Sequence, residues 1–553
     1  MMARELHPVL APEAPPETPA PPSAGRPSRP WLVPLLVVVL LTQMAVAMVT
    51  TALQQTPTID EPVYVATATD YLHEHEIRYN PEHPPLGKLV IGVGMALADP
   101  DYDPSFSGDQ GQVGRHLLYE SGNDPWRVML WARLPVVALT LAFALVVFAF
   151  ARELAGPAGG LVALALYTFS PDVIAHGSLA TLDVPTAGFL LTSVWLLWRA
   201  RQRPYPYVPL AGVAAGAALA TKMSALPAVP VLLALAAWSL WRHNPTARRK
   251  ALLGAGVVAV VAVAVVWLSY LVVDPRLRWS PQQHVPVVHG LRALMVDLMP
   301  FPEAYRDGMR VQFGFENHPW QGFLFGRLYT GSLWYYLPAA LLVKTPLGML
   351  ALWAAGAVAV VTVRQLRPAA PYLLVPTAVL LGAAMTGSRD FGTRYAVFVP
   401  MFLAVAAAGV LRLRWRWAGA VAGALVLFVA VSSARTFPLY LPYSNEAFGG
   451  PAETHLRLHD SNVDWGQDLG RLADRLRERY PGERIWLVYK GSGVPSYYGI
   501  EASDPRRVPV AEVRGLMVVS DSSVAKATGR LAELIDSSRP IDQVGHSITI
   551  YRR

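Results

Sequence analysis

A chain of 553 residues, 53% hydrophobic and only 16% charged, lies far from the composition of a water-soluble globule, and most of it belongs in lipid. Its 48 prolines and 42 glycines are tolerable there only in a packed bundle whose neighbours satisfy the backbone groups they free. The formal charge of +8 would suit a nucleic-acid partner, but Lys and Arg fall in short clusters between apolar runs, where membrane topology explains them; zero cysteines exclude disulfides and thiolate chemistry.

Residues 1–30 contain the run APEAPPETPAPPSAGRPSRP and no apolar periodicity, which reads as a disordered cytoplasmic arm. The first apolar run, Trp31 to about Leu53, is too long and too late for a signal peptide, although Ala45-Val46-Ala47 resembles a cleavage site. It reads as a membrane helix. Further runs near 128–150, 157–171, 184–198, 207–221, 224–241, 251–273, 346–363, 371–387, 395–411 and 417–434 bring the expectation to about eleven transmembrane helices within residues 31–435. Runs 157–171, 184–198 and 207–221 are short, as tilted or half-length helices would be, so the count carries a margin of one or two.

Loops between successive spans must alternate sides, and the positive-inside rule can be checked at each. Arg152, Arg199/Arg201/Arg203, Arg242 with Arg248/Arg249/Lys250, Arg364/Arg367 and Arg412/Arg414/Arg416 all fall on the side of the amino terminus. The other side receives a first loop, 54–126, rich in Asp and Glu, together with the 172–183 loop, a second large region, 274–345, and the tail. These are the extracytoplasmic segments of an integral membrane protein. In 274–345, GSLWYYLPAALLVK at 331–344 carries the Trp and Tyr of a helix at headgroup level before Pro346 opens the next span, and could border a groove for lipid.

From residue 436 the composition changes. IWLVYKG (485–491), GLMVVSD (515–521) and SITIYR (547–552) read as strands, with helices near 465–479 and 523–537. The expected fold class is therefore a polytopic α-helical membrane protein with a small extracytoplasmic α/β domain over 436–553.

The chemistry-bearing residues sit just outside the spans. Asp60-Glu61 follows the first run by roughly one or two helical turns, where a charge pair needs water, a partner or a substrate. Asp60 before Pro62 also suits a helix N-cap, and so does Asp183 before Val184-Pro185. The competing reading makes Asp60, Glu61 and Asp183 the acids of one cavity. His83-Pro84-Pro85 fixes an extended turn that presents His83 and Lys88 at a defined angle; Lys88 either holds a phosphate or snorkels from a membrane-surface helix. Arg133 and Lys222 lie within apolar runs and call for a partner or an anionic ligand, whereas Lys344 and Arg394 could equally anchor at the interface. In the tail, Asp464 and Gln467 of DSNVDWGQDL match a capping box opening the 465–479 helix. Asp460, Asp464 and Asp468 could bind a cation but lack the Gly and terminal Glu of an EF-hand loop.

The sequence DE followed by HPPLGK, then LDVPTAGFLL, resembles the protein O-mannosyltransferases and their bacterial relatives in the membrane-integral GT-C superfamily, over roughly the first 225 residues. WYYLPAALLVKTP, RYAVFVP and DSNVDWGQDL are similar to bacterial phospholipid-carrier-dependent glycosyltransferases, the group that includes aminoarabinose transferases. The resemblance implies a polyprenyl-phosphate sugar donor, inverting transfer to a hydroxyl of a protein, lipid or glycan acceptor, and a site at the outer leaflet of a bacterial cell membrane. It makes Asp60 the catalytic carboxylate, completed by Glu61, with Asp183 supporting acceptor or sugar. Arg133, Lys222 and Arg394 would hold the donor phosphate, with Lys88 and Lys344 as further candidate cations. This chain departs from the eukaryotic enzymes in lacking β-trefoil loop repeats and from both groups in its α/β tail.

No cofactor is called for. A phosphate leaves as a stable anion and needs fixed positive charge, which a divalent cation could supplement, though no His/Asp/Glu spacing specifies one. A transporter or lipid flippase would also place ionisable groups in a helical bundle, and a non-catalytic scaffold could present the tail to a partner. Clustering of the carboxylates on one face and the absence of an inverted repeat argue for transfer.

Overall fold

A computed structural model describes residues 31–241 and 248–553; the arm read over 1–30 and Arg242 lie outside them. The fold is mostly helical. Helix α1 (Leu32–Gln54) is followed by four helices of the first loop: α2 (Glu61–His73), α3 (Pro85–Ala98), α4 (Gln110–Tyr119) and the start of α5 (Pro125–Thr168). The 44-residue α5 is two helical arms: Gly156 adopts φ +77°, a backbone state that a side chain disfavours, and Pro157 cannot continue the ladder. That break separates the apolar runs expected at 128–150 and 157–171. Next come α6 (Pro171–Gly177), α7 (Asp183–Ala200), α8 (Pro204–Thr221), α9 (Ala228–Trp241) and α10 (Arg248–Val273). The second large region holds α11 (Gly290–Asp297), α12 (Glu303–Glu316) and a hairpin of β1 (Gln321–Leu324) with β2 (Arg327–Thr330). Helices α13 (Tyr336–Lys344) and α14 (Leu347–Thr362) meet at 119° across Thr345-Pro346, and α15 (Ala370–Ala384), α16 (Phe398–Ala407) and α17 (Ala418–Ala434) complete the bundle.

Among the described residues, α1, α5 and α10 are long and apolar enough to cross a membrane, and the bent α13–α14 pair adds a fourth if it counts as one span. The remaining apolar helices are shorter, so the expectation of about eleven spans is not reached by helix length. One continuous core joins α1, both arms of α5 and α7 to α16, and Trp465 of the tail belongs to it. A second core, built from Tyr64, Ile91, Leu117 and Met129, lies beneath the first loop.

The tail carries helix α18 (Leu469–Arg479) and a five-stranded sheet ordered β4-β3-β5-β7-β6. Its strands are β3 (Ile485–Val488), β4 (Ala502–Ser503), β5 (Leu516–Ser520), β6 (Arg539–Val544) and β7 (Ile548–Arg552). β3 runs parallel to β4 and β5, and β7 antiparallel to β5 and β6. Alternation along β5 sends Leu516 and Val518 to one core and Met517 and Val519 to another, so both faces of the sheet are covered. The helix expected over 523–537 is two pieces, α19 (Asp521–Ala525) and α20 (Gly529–Asp536).

The expected capping box does not form. Helix α18 starts only after Asp468, because the preceding residues are engaged elsewhere. Gln467 accepts the Trp465 N–H at 2.7 Å and donates to the Val463 carbonyl at 3.0 Å. Asp464 accepts the N–H groups of Ser522 and Gly466, each at 3.2 Å. Burial and the nearby Asp521 push the Asp464 carboxyl up to about 7, against Lys490 and those two N–H groups. A carboxyl that holds its proton longer when folded contributes stability that is complete below its ordinary value of 3.8 and is lost as pH rises through 7. Melting temperature is therefore expected to fall between about pH 5 and about pH 8, and Asp464→Asn to flatten that dependence in thermal unfolding of the purified protein.

The segments assigned to one side of the membrane touch one another. Ala180 N–H donates to Glu61 at 2.8 Å, Ser280 N–H to the Ile77 carbonyl at 3.4 Å, Phe325 N–H to Arg457 at 2.8 Å and Thr56 N–H to Gln467 at 3.0 Å.

Candidate active site

A cavity of about 910 Å³ opens between the first loop, the mouths of α7 and α8, helices α11 and α12, and the turn before α16. The charged side chains on its wall include Asp60, Asp183, Lys222 and Arg394, which come from distant parts of the chain. Asp60 is the N-terminal flanking residue of α2, yet its side chain caps nothing. It accepts instead from Arg394 Nη1 at 2.6 Å, and its side chain keeps 27% of its surface open. Asp183 begins α7, where no side-chain cap forms either; Lys222 Nζ donates to it at 2.5 Å. Both acids are thus turned from helix capping to ion pairs on the cavity wall.

The two cations share an aromatic partition. Tyr395 lies under both, 5.1 Å from the Arg394 guanidinium and 5.5 Å from Lys222 Nζ, and Trp465 takes the other approach to Arg394 at 4.4 Å. His83 also lines the cavity. Burial, then Lys222 and Lys88, hold its imidazole well below the usual range, so it is neutral near pH 7, and Nδ1, itself buried, has no partner among the described residues. Pro84 and Pro85 open α3 behind it, as the rigid turn required. The lining also includes apolar side chains such as Ala187, Leu190, Leu226, Pro230 and Leu380, and polar ones, Glu82, Gln312, Glu316 and Arg389.

Three cations expected to bind phosphate are committed elsewhere. Arg133 is fully buried and donates through Nε and Nη2 to Glu61 at 2.8 and 2.7 Å, and through Nη1 and Nη2 to the carbonyls of Ala52, Gln55 and Thr56. Glu61 also accepts from Thr58 N–H, Thr58 Oγ1 and Ala180 N–H. Burial opposes ionisation of Glu61, but Arg133 and these donors outweigh it and hold the carboxyl below the ordinary range. The pair ties α1, α2, α5 and the 180 turn together; it does not face the cavity, so neither Glu61 as a catalytic acid nor Arg133 as a phosphate ligand fits its placement. Lys88 donates to the carbonyls of Asn80 and His83, at 2.8 and 2.7 Å, and staples the turn that carries His83. Lys344 donates to the carbonyls of Leu441 and Asn462 and joins α13 to the tail. A lysine buried in an apolar wall must spend its donors on nearby carbonyls, a demand no spacing reveals.

Residues that sequence reasoning missed are Tyr395, Arg389, Glu82 and Trp465. Tyr395 adjoins Arg394 in the chain, and Trp465 sits within the DSNVDWGQDL motif. Arg389 and Glu82 carried no signal beyond charge. Among the described residues, no group of three or more His, Asp or Glu is placed to hold a metal ion.

Comparison with known proteins follows the same residues. Residues 37–273 match the family model described as dolichyl-phosphate-mannose-protein mannosyltransferase. The resemblance carried by the DE, HPPLGK and LDVPTAGFLL motifs therefore holds over that stretch, which takes in Asp60, His83, Asp183 and Lys222 and stops short of Arg394 and the tail. No curated protein matches the chain. Among solved structures, the chain is similar to ArnT from Cupriavidus metallidurans bound to undecaprenyl phosphate, with 16% identity, 95% of this chain and 98% of that one covered, and a TM-score of 0.48. The S. cerevisiae protein O-mannosyltransferase Pmt1-Pmt2 complex bound to the sugar donor is 19% identical over 44% of this chain and 33% of that one, with a TM-score of 0.35. The Archaeoglobus fulgidus oligosaccharyltransferase in the apo form is 13% identical over 81% of this chain and 58% of that one, with a TM-score of 0.46.

Proposed function

We propose that this protein is a membrane glycosyltransferase that moves a sugar, such as mannose, from a polyprenyl-phosphate donor to an acceptor hydroxyl on the extracytoplasmic face, with inversion. The observation that carries the reading is one cavity in which Asp60 and Asp183 meet Arg394 and Lys222 and whose lining also holds many apolar side chains. A lipid-linked sugar offers a match for each: a prenyl chain for the apolar lining, a phosphate for the cations and a sugar for the carboxylates.

In the step, the acceptor oxygen attacks the anomeric carbon from the face opposite the phosphate and its proton passes to Asp60. The anomeric C–O bond breaks with its electron pair going to the phosphate, whose charge Arg394 and Lys222 meet. Those two side chains supply the positive charge that a divalent cation could supplement. His83, held neutral, lines the same cavity. The positive-inside pattern puts the amino terminus in the cytoplasm and the α/β tail, residues 436–553, outside with the cavity.

The test is conversion of an undecaprenyl-phosphate mannose or aminoarabinose donor to undecaprenyl phosphate by membranes containing the protein, read by mass spectrometry. Donor turnover above that of membranes lacking the protein is expected, and none with either sugar would remove the reading. Arg394→Gln should weaken undecaprenyl phosphate binding by about 10- to 100-fold, the loss of one charge-assisted hydrogen bond, while the half-open Asp60 left behind is solvated and the fold survives. Unchanged affinity in a binding titration would take Arg394 out of the phosphate site.

A further inference from the structure

We infer that Trp465, in the carboxy-terminal tail, is a positioning residue for this cavity: its indole carries the Arg394 guanidinium and its backbone carbonyl anchors the turn that presents Asp60. The inference rests on the transfer reading above and extends it to a part of the chain that the cavity wall does not include.

Trp465 is 1% exposed, and its ring lies 4.4 Å from the Arg394 guanidinium carbon. Arg394 is held otherwise by Asp60 through Nη1 and by a 3.3 Å contact from Nη2 to the Tyr395 hydroxyl, while Nε has no hydrogen-bond partner among the described residues. A guanidinium with so few directional bonds takes its plane from the rings against it. When a substrate phosphate competes with Asp60 for Arg394, the two rings are the contacts that stay, and the indole is the nearer of them.

The backbone of the same residue grips the other half of the ion pair. Ile59 N–H, one residue before Asp60, donates to the Trp465 carbonyl at 3.0 Å, and Thr56 N–H donates to the Gln467 carbonyl at 3.0 Å. The Thr56 hydroxyl donates to the Gly466 carbonyl and accepts from Leu469 N–H, and Ser492 Oγ donates to the Thr58 carbonyl at 2.8 Å. Between these bonds Gly466 turns with φ +92°, where a Cβ would come within 2.7 Å of Gly491 Cα, so the tight turn excludes any side chain. On the opposite flank, Ser461 N–H donates to the Phe391 carbonyl at 3.1 Å and Thr393 N–H to Asn462 Oδ1 at 3.1 Å. Residues 461–467 therefore clamp the loop bearing Asp60 to the loop bearing Arg394, although more than 300 residues separate those two in the chain. This gives the buried DSNVDWGQDL motif a task that helix capping does not.

The experiment compares full-length Trp465→Met and Trp465→Phe in detergent or nanodiscs. The Met variant should bind undecaprenyl phosphate about tenfold more weakly, with donor KM raised in step, and residues 55–60 and 391–396 should exchange amide hydrogens faster. The Phe variant, which keeps an aromatic face, should return within about threefold of the wild type on all three readouts. Wild-type behaviour of the Met variant, or a Phe variant as impaired as Met, would overturn the inference. If the Met variant does not fold, Thr56→Val reads the clamp from its other side: faster exchange at 55–60 with a raised donor KM supports it, and no change overturns it. The two readings fail separately. Undiminished turnover in Asp60→Asn would strike the transfer reading, whereas an inert Asp60→Asn with unaltered Trp465 variants would strike only this one.

Discussion

Asp60→Asn is expected to lower sugar transfer by about 10²- to 10⁴-fold, the range for removing a positioned general base, with the protein folded and the donor still bound. The substitution keeps shape and removes the ability to take a proton. The side chain caps no backbone group, and Arg394, its ion-pair partner among the described residues, also lies against the rings of Trp465 and Tyr395, so folding has little stake in it. Removing an internal carboxylate that competes for Arg394 should leave undecaprenyl phosphate affinity unchanged or improved. Single-turnover assays on purified protein separate the two quantities. Turnover within about threefold of wild type would exclude Asp60 as the base.

The adjacent residue should behave in the opposite way. Glu61→Ala is expected to cost about 3–5 kcal/mol of stability, because it strands the Arg133 guanidinium inside the protein. Both side chains are wholly buried, and every nitrogen of Arg133 is spent on Glu61 or on the carbonyls that end α1. Replacing both by Met should recover part of the loss, since the penalty belongs to the unpaired charge. The sign of the pH dependence follows from the lowered Glu61 carboxyl. Its contribution is complete above the ordinary value of 4.5 and is lost as pH falls through the lower folded value. Thermal unfolding of the single and double variants is the check. A Glu61→Ala protein with a wild-type melting temperature and no transfer would restore the catalytic role expected from the motif.

Neighbouring residues of one motif thus have separate tasks, and this marks how far linear reading reaches. The apolar runs around α1, α5 and α10 and three of the tail's five strands, β3, β5 and β7, were legible because period and length are local properties. The break in α5 was legible only as the gap holding Arg152 between the apolar runs 128–150 and 157–171; the turn at Gly156 was not read. Asp60, Asp183, His83, Lys222 and Arg394 were legible as polar groups at the mouths of apolar runs, where a charge needs a reason.

Which of those charges face the cavity was not legible. Lys88, Arg133 and Lys344 have the same residue types and the same setting as Lys222 and Arg394, yet each is used up on carbonyls or on Glu61. That choice depends on where chain ends of other helices fall in space, and pairings such as Asp60 with Arg394 span 334 positions. Composition and periodicity, acting within a few turns, determined by themselves that this protein is a helical bundle for lipid with acids and bases at one rim. Only the tertiary structure decided which acid meets which base, and that the tail's Trp465 lies between them, because burial forces every charge to find a partner and only three dimensions say which one is near.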